Sequence, residues 1–366
     1  MPTLVEFPTG QVSPAPDQMD PLLNLLKQRP PQDWSWRFEP TATSHNPTNA
    51  VALCNASILT YSTQQEVIEY LGRWGFTHVA PLRGSRTQGF VARRERTIIV
   101  AFRGTEPVNA VDWLSDVNYH HRWLVPENPP RLGLASGVVP AGVPGGVHGG
   151  FGYALDEVLD PMVKAVQTFL SDGADRIFCT GHSLGGALTV LGAAVLRLGL
   201  DLPVAGVYTY GQPRAGDPEF SRAFDQVLGE VTFRYVNGSD IVPHVPPARL
   251  PAALALHPLP SPVGILHTAW GVPAAVAQKV KKLVEGERFA HVGQLMLFLD
   301  DGTVTHSEAA WKAREVIYSG ELSDLFKESR SLLRFRFGQL LREDRRIVDH
   351  DPLNGYLPRL GIQAGI

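Results

Sequence analysis

The stretch RIFCTGHSLGGA, residues 176–187, joins an apolar strand pattern to a glycine-flanked serine and the start of an apolar helix. Ser183 lies between Gly181 and Gly185 in a G-x-S-x-G pentapeptide. The pentapeptide alone is a weak motif, because Gly and Ser are common in turns. A strand that ends at Gly181 and a helix that starts directly after Ser183 are the context a serine nucleophile requires, since the turn is too tight for side chains at the glycine positions. The stretch therefore predicts an α/β fold with Ser183 as a candidate nucleophile on a strained turn.

The pattern of strands and helices continues on both sides of this stretch. Strand 176–181, helix 184–198 and strand 204–211 have the length of one βαβ unit. Further elements are expected from apolar runs, helical spacing and an Asp-Gly turn: strands at 97–102 and 231–236, a hairpin at 295–304 that turns at Asp301-Gly302, and helices at 49–61 and 152–171. The order predicts a mixed, mostly parallel sheet flanked by helices.

Length and composition indicate an ordinary globular protein. The chain has 366 residues, 44% of them hydrophobic and 19% charged, with a formal net charge of −3. Such a charge does not favour nucleic acid or an anionic membrane as a partner. No apolar run is long enough for a transmembrane segment, and the N-terminus lacks a basic and apolar signal pattern. We therefore expect a soluble protein, either cytoplasmic or secreted with its signal already removed; the sequence indicates no oligomeric state.

The chain is expected to form one domain with an arm and two insertions. Residues 1–33 are Pro-rich and aperiodic, which favours an extended N-terminal arm, and 34–366 form the domain. The segment 126–147 is rich in Pro and Gly and is expected to be an irregular surface loop. The apolar segment 250–287 is expected either to cap the site or to pack as an ordinary helix.

A nucleophilic serine needs donors for the oxyanion, and two are candidates. The N–H of Leu184 opens a helix, so it has no helical partner and lies at the positive end of the helix dipole. The second donor is expected from the loop FRGT, 102–105, through the N–H of Thr105. The alternative is that Gly104-Thr105 merely ends a strand.

Several motifs in the chain, taken in order, resemble those of the class 3 lipases. The collinear matches are AFRGT followed by DWLSD (112–116), VHGGF (147–151), GHSLGGALT (181–189), YGQPRAGDPEF (210–220) and NGSDIVPHVPP (237–247). The resemblance runs from about residue 49 to 350. It implies an α/β-hydrolase-type fold, a Ser-Asp-His triad and a helical lid. It also implies that no metal or organic cofactor is needed.

The resemblance carries the acid of the triad onto Asp240, with Asp217 as the nearest rival, interpreted as a turn residue. Of the histidines that follow Asp240, His350 is chosen because DHDPLNGYLPRL is similar to a late segment of the family that carries the triad histidine. His291, in FAHVGQL, lies in a pattern that is structural in the family, and His244 belongs to a Pro-rich turn. The remaining candidates are His257, His267 and His306. The resulting order, serine, acid and histidine, is the order of α/β-hydrolases.

The resemblance implies hydrolysis of carboxylic esters of lipids at an oil–water interface, with triacylglycerol as the expected substrate. A phospholipase, a galactolipase and a short-chain carboxylesterase share the motifs, and a catalytically idle interaction module is the alternative from another class. The lid is expected at 106–120, where one side of a short helix is apolar: Val111, Trp113, Leu114 and Val117. Family members that are secreted carry disulfides; Cys54 and Cys179 form no such framework here.

Overall fold

The computed structural model describes the residues 1–6, 36–85, 87–104, 143–238, 240–246, 248, 289–316 and 349–365. Some of the sequence-based predictions lie outside these residues: Thr105, the lid segment 106–120 with Val111, Trp113, Leu114 and Val117, the insertion 250–287, and most of both the N-terminal arm and the 126–147 loop.

The described residues form one nine-stranded sheet whose spatial order follows the chain order. Its strands are β1 (Thr3–Leu4), β2 (His78–Arg83), β3 (Gln88–Arg94), β4 (Thr97–Phe102), β5 (Arg176–His182), β6 (Val204–Tyr210), β7 (Thr232–Asn237), β8 (Gln294–Phe298) and β9 (Val304–Thr305). The pairs from β4 to β8 are all parallel, whereas β2–β3, β3–β4 and β8–β9 are antiparallel. The predicted mixed, mostly parallel sheet is confirmed.

Helices cover both faces of this sheet. They are α1 (Pro47–Leu59), α2 (Gln64–Arg73), α3 (Gly149–Ser171), α4 (Leu184–Ala194, continued by a π-helical turn at Val195–Gly199), α5 (Pro218–Leu228), α6 (308–316) and α7 (Leu357–Ala364). Because α4 lies between the parallel strands β5 and β6, the three form the predicted βαβ unit. The architecture is therefore an α/β fold with one mixed, mostly parallel sheet between two layers of helices.

Strand β4 shows why the core has two halves. Its sequence TIIVAF is buried throughout, as expected for a parallel strand covered on both faces. Side chains alternate along a strand, so Ile98 and Val100 join the core under α3 and α4, whereas Ile99 joins the core under α1 and α7. A strand with one solvated face would have shown alternating polar residues.

Two antiparallel strands, β2 and β3, were not anticipated from the sequence. They carry arginines at their ends and a proline at position 81, so neither forms an uninterrupted apolar run. Their pairing with β4 decides their structure: Pro81 lies opposite Phe90, and Phe90 opposite Ala101. Tertiary pairing outweighs the weak local preference here.

The motif segments that are distant in sequence meet at one place. Single bridges join Val147 to Gly216 and Gly216 to Ala290. Asp217 accepts hydrogen bonds from the N–H groups of Phe220, at 2.8 Å, and Gly146, at 2.8 Å. Asp217, which the sequence predicts as a turn residue, is therefore the N-cap of α5 and ties that helix to the segment before α3.

Candidate active site

Ser183 occupies the turn between β5 and α4 in a strained conformation. Its φ of 58° and ψ of −129° lie outside the regions that L-residues ordinarily adopt. The turn is held by two backbone hydrogen bonds: the Ser183 N–H donates to the carbonyl of Tyr210 at 2.9 Å, and its carbonyl accepts from Gly186 at 2.8 Å. The strained turn expected from the sequence is confirmed, and such strain persists only where surrounding contacts enforce it.

The two glycines of the pentapeptide lie where there is no room for a side chain. A Cβ on Gly181 would lie 2.2 Å from the carbonyl oxygen of Gly185, and a Cβ on Gly185 would lie 2.3 Å from that of Phe102. Both contacts are with backbone atoms, so a larger residue at either position would have to displace a strand or the helix. The glycines therefore allow β4, β5 and α4 to meet around Ser183.

The start of α4 and the end of β4 lie beside the serine. Leu184 is the first residue of α4, so its N–H has no acceptor one turn earlier in the helix. A Cβ on Gly104 would lie 3.0 Å from the Cβ of Ser183, which brings the loop after β4 against the serine. The structure thus brings the start of α4 and the loop after β4 next to Ser183.

Asp240 and His350 form a buried pair near this turn. Asp240 follows the end of β7, and His350 comes shortly before α7; their exposed fractions are 0% and 2%. The Nδ1–H of His350 donates to Oδ2 of Asp240 at 2.8 Å. A Cβ on Gly211, which has φ +60°, would lie 2.7 Å from that oxygen and 2.8 Å from the His350 ring. Gly211 at the end of β6 therefore leaves space for the pair.

Both oxygens of the Asp240 carboxylate accept hydrogen bonds. Its Oδ2 also accepts a hydrogen bond from the hydroxyl of Tyr356 at 2.6 Å, and its Oδ1 accepts from the N–H of Val242 at 2.9 Å. The Tyr356 hydroxyl in turn accepts from the N–H of Asn237 at 3.0 Å. Burial, and then the negative charge of Asp240, raise the pKa of Tyr356 well above its usual range. Tyr356 thus remains a donor that fixes the carboxylate opposite His350.

The other histidines that follow Asp240 lie elsewhere. His291 donates from Nε2 to the carbonyl of Pro243 at 2.8 Å, and His306 bonds to the carbonyl of Leu295 at 2.8 Å. The ring of His244 is stacked on Trp311, with 4.3 Å between centroids. His257 and His267 lie outside the described residues. Of the described histidines, His350 alone bonds to Asp240.

The arrangement supports general-base chemistry at the serine. Because Nδ1 of His350 carries the proton shared with Asp240, its Nε2 presents a lone pair. Neither this Nε2 nor Oγ of Ser183 has a hydrogen-bond partner among the described residues, and both atoms are buried. His350 lies next to the turn between β5 and α4, because the centroid of its ring is 4.5 Å from that of the His182 ring. The proton acceptor Nε2 of His350 and the hydroxyl of Ser183 thus both lie at the turn between β5 and α4.

In the part of the chain that the structure describes, no group of three or more His, Cys, Asp or Glu side chains is arranged to hold a metal ion. In the same residues, no helix combines the length and apolar character needed to cross a membrane.

Sequence reasoning missed residues that hold the site together. Tyr356 lies in the segment DHDPLNGYLPRL, and its spacing from His350 does not indicate a contact with Asp240. Gly211 is predicted as the last residue of the strand 204–211, and nothing at that position indicates a contact with Asp240 or His350. His182 is part of the pentapeptide, whose pattern leaves that position open.

With this geometry established, the chain can be compared with known proteins. Residues 99–250 match the family described as lipase (class 3). The chain is 32% identical over 151 residues to a secreted mono- and diacylglycerol lipase of Malassezia globosa; the match spans 41% of this chain and 47% of that protein. It is 36% identical over 168 residues to a lipase of Rhizomucor miehei, covering 44% of this chain and 41% of the relative.

Two further comparisons concern a plant relative and a solved structure. A triacylglycerol lipase of Arabidopsis thaliana is 30% identical over 215 residues, which are 50% of this chain and 40% of that protein. The chain thus spans less than half the length of the curated relatives it matches. The structure of the Rhizomucor miehei lipase–propeptide complex has a TM-score of 0.46 and 22% identity, with 80% of this chain and 79% of that chain covered.

Proposed function

We propose that the protein is a class 3 lipase, a serine hydrolase that cleaves the carboxylic ester bonds of acylglycerols, with triacylglycerol as its substrate. The observation that carries the proposal is the hydrogen bond between His350 and Asp240 beside the strained turn of Ser183. The names of the relatives, which are lipases of mono-, di- and triacylglycerols, support an acylglycerol substrate.

The proposed reaction proceeds through an acyl-enzyme. Oγ of Ser183 attacks the ester carbonyl while Nε2 of His350 accepts its proton, and Asp240 stabilises the imidazolium that forms. The N–H groups of Leu184 and Thr105 donate to the oxyanion. His350 then gives the proton to the departing alcohol, and water, activated by the same imidazole, releases the fatty acid and restores Ser183.

Covalent labelling tests the nucleophile. An organophosphate should attach to Ser183 in the purified protein, and peptide mass spectrometry should locate the adduct there. Ser183→Ala should be neither labelled nor active, while it stays folded because the Cβ is retained. A folded wild-type protein that stays unlabelled under conditions that label a known serine esterase would instead support a catalytically idle interaction module.

A substrate panel tests the finer part of the proposal. Emulsified triolein, diolein, monoolein, a phospholipid, a galactolipid and a soluble short-chain ester should be compared at equal enzyme concentration. Hydrolysis of triolein should exceed that of the polar lipids. A clear preference for the phospholipid or the galactolipid would overturn the choice of triacylglycerol while leaving the serine hydrolase intact.

The lid predicted at 106–120 gives a further substrate test. If its apolar side turns toward an oil surface, Trp113 contributes apolar area to that contact, at roughly 25 cal/mol per Å². Trp113→Ala should therefore reduce activity on emulsified triolein more than on a soluble short-chain ester. Equal losses on both substrates would contradict the lid assignment.

A further inference from the structure

His182, the residue before the nucleophile, uses both of its ring nitrogens in buried hydrogen bonds. Its Nε2 lies 2.6 Å from the carbonyl oxygen of His350, and its Nδ1 lies 3.0 Å from the hydroxyl of Tyr61. His182 is 2% exposed and Tyr61 3% exposed, so water does not compete for these contacts. Tyr61 lies 121 positions and His350 168 positions away from His182 along the chain.

The chemistry of the partners fixes the protons in this network. A carbonyl oxygen only accepts, so Nε2 of His182 carries the hydrogen that bonds to His350. Burial, and then the neighbouring His350, hold the pKa of His182 well below its usual range, so the ring is neutral. Its Nδ1 is then an acceptor, and the Tyr61 hydroxyl must donate to it.

The bond to His350 acts on the main chain of the candidate base rather than on its ring. The segment of His350 is held at two successive carbonyls: Nδ2 of Asn237 donates to that of Asp349 at 2.9 Å, and His182 to that of His350. The donors lie at the ends of two different strands, β7 and β5. The direction of the imidazole therefore depends on strand ends that the rest of the sheet keeps in place.

Tyr61 connects the same network to the loop after β4. A Cβ on Gly104 would lie 2.3 Å from the Tyr61 hydroxyl and 2.5 Å from the carbonyl oxygen of His182. The guanidinium of Arg103 lies over the Tyr61 ring at 5.6 Å. The tyrosine thus contacts both the loop expected to supply an oxyanion donor and the ring that anchors His350.

We propose that His182 is a positioning residue: its neutral ring anchors the main chain of His350 through Nε2–H, and Tyr61 fixes the required tautomer by donating to Nδ1. The inference rests on the proposed function, because it takes His350 as the general base. Removal of the anchor leaves the bond from Asn237 in place, so the segment stays folded but the imidazole is aimed less well at Ser183. Small displacements of a catalytic group are costly in rate.

Replacing the ring nitrogens tests the anchor. His182→Phe keeps a ring and removes both hydrogen bonds; kcat on a soluble short-chain ester should fall by about 30- to 100-fold with KM within about twofold. His182→Gln keeps an amide that can donate to the His350 carbonyl, and should recover kcat to within about fivefold of wild type. A wild-type kcat in His182→Phe, or a His182→Gln variant that is no better than His182→Phe, would overturn the proposal.

Removing the hydroxyl tests the part assigned to Tyr61, and it deletes only one oxygen. Tyr61→Phe should lower kcat by about fivefold, the equivalent of one hydrogen bond. In the His182→Phe background the same change should alter kcat by less than about twofold, because Tyr61 acts through His182. Full additivity would mean that Tyr61 acts elsewhere, through Gly104, and would overturn the proposed chain of contacts.

A matched control separates this network from general loss of a buried tyrosine hydroxyl. The Tyr235 hydroxyl lies 2.6 Å from Nε2 of His45, so Tyr235→Phe also removes a tyrosine–histidine hydrogen bond. It should leave kcat within about twofold of wild type, and a loss equal to that of Tyr61→Phe would contradict the proposal. If His182→Phe does not fold, Tyr61→Phe compared with this control still decides.

Organophosphate labelling distinguishes failure of the proposed function from failure of this further inference. Absence of labelling at Ser183 in the wild-type protein would refute the proposed function itself. Normal labelling of the wild type, together with unchanged inactivation rates in the variants of His182 and Tyr61, would refute only this further inference.

Discussion

His350 and His291 provide a comparison in which the same substitution should abolish catalysis at one position and largely preserve it at the other. Each histidine makes a side-chain hydrogen bond of 2.8 Å: His350 to the carboxylate of Asp240, and His291 to the carbonyl of Pro243. Replacing either by alanine removes that bond and leaves an acceptor behind. His291 lies in a local sequence pattern that resembles one of the family, whereas His350 is bonded to Asp240. Comparing the two variants therefore tests the observed geometry against the sequence motif.

The expected cost in stability is similar for the two variants. His291→Ala loses a neutral hydrogen bond and leaves the Pro243 carbonyl without its donor, which costs about 1–3 kcal/mol. His350→Ala removes a hydrogen bond to a carboxylate, worth about 1.5–3 kcal/mol. Asp240 keeps its bonds from Tyr356 and Val242, so the carboxylate is not left without donors. Both variants should therefore fold at 25 °C and unfold at lower urea concentrations than wild type.

Turnover should differ by orders of magnitude. Without an imidazole opposite Ser183, His350→Ala should lose about 10⁴- to 10⁶-fold in kcat, as losses of triad members do, with little change in KM. His291→Ala should keep most of its kcat, because Pro243 belongs to the turn after Asp240 and not to the acid itself. Asp240→Asn should resemble His350→Ala in a milder form, because a misoriented imidazole still accepts protons.

Pre-steady-state kinetics with a chromogenic ester measures the difference directly. The burst of leaving group reports acyl-enzyme formation, and urea unfolding of the same preparations reports stability. Wild type and His291→Ala should show a burst of equal amplitude per folded molecule, and His350→Ala should show none. A burst in His350→Ala, or its loss in a folded His291→Ala variant, would refute the assignment of the base.

Three further changes test the surroundings of the site. Gly211→Ala places a Cβ 2.7 Å from the carboxylate of Asp240 at a φ of +60°, so it should cost about 1–3 kcal/mol in urea unfolding and lower kcat; wild-type values in both would contradict the packing. Tyr356→Phe removes a bond to the same carboxylate and should lower the free energy of unfolding by about 1.5–3 kcal/mol, which an unchanged unfolding midpoint would disprove. Burial lowers the pKa of His148 to about 3, so below the unfolded-state value of about 6.5 the unfolded chain binds a proton that the folded protein does not, and stability falls as pH falls from there. Between pH 6.5 and 5.5 this loss approaches about 1 kcal/mol, and it should shrink by that amount in His148→Asn, whose side-chain oxygen can replace Nδ1 of His148 as the acceptor for the N–H of Phe151; equal slopes in the two proteins would count against it.

The central part of the fold could be predicted from the sequence because its determinants are local. The β-branched and apolar run TIIVAF predicts an interior strand. The observed β4 covers the same residues, Thr97–Phe102, and is buried on both faces. Gly181 and Gly185 predict the turn around Ser183 because only glycine fits against the backbone there. For β4 and for Gly181 the determinant lies within a few residues of the position that it explains, whereas the contact of Gly185 with the Phe102 carbonyl comes from the neighbouring strand.

The edge strands and the details of the site depend on contacts that the sequence does not encode locally. Strand β2 contains Pro81 and ends in an arginine, and it forms because β3 offers it a partner. The family resemblance selects Asp240 and His350, but only the fold places their atoms 2.8 Å apart across 110 residues.

The supporting residues were decided by tertiary structure alone. His182 and Tyr61 lie 121 positions apart, and nothing in either segment indicates that their polar atoms meet. A buried hydrogen bond between side chains needs both partners within about 3 Å at a suitable angle, and no periodicity or spacing along the chain specifies that distance. The sequence by itself therefore determined the turn at Ser183, the strands and the helix next to it and the candidate residues, whereas the packing of β5, β7 and the segment before α7 decided which side chains hold His350 in place.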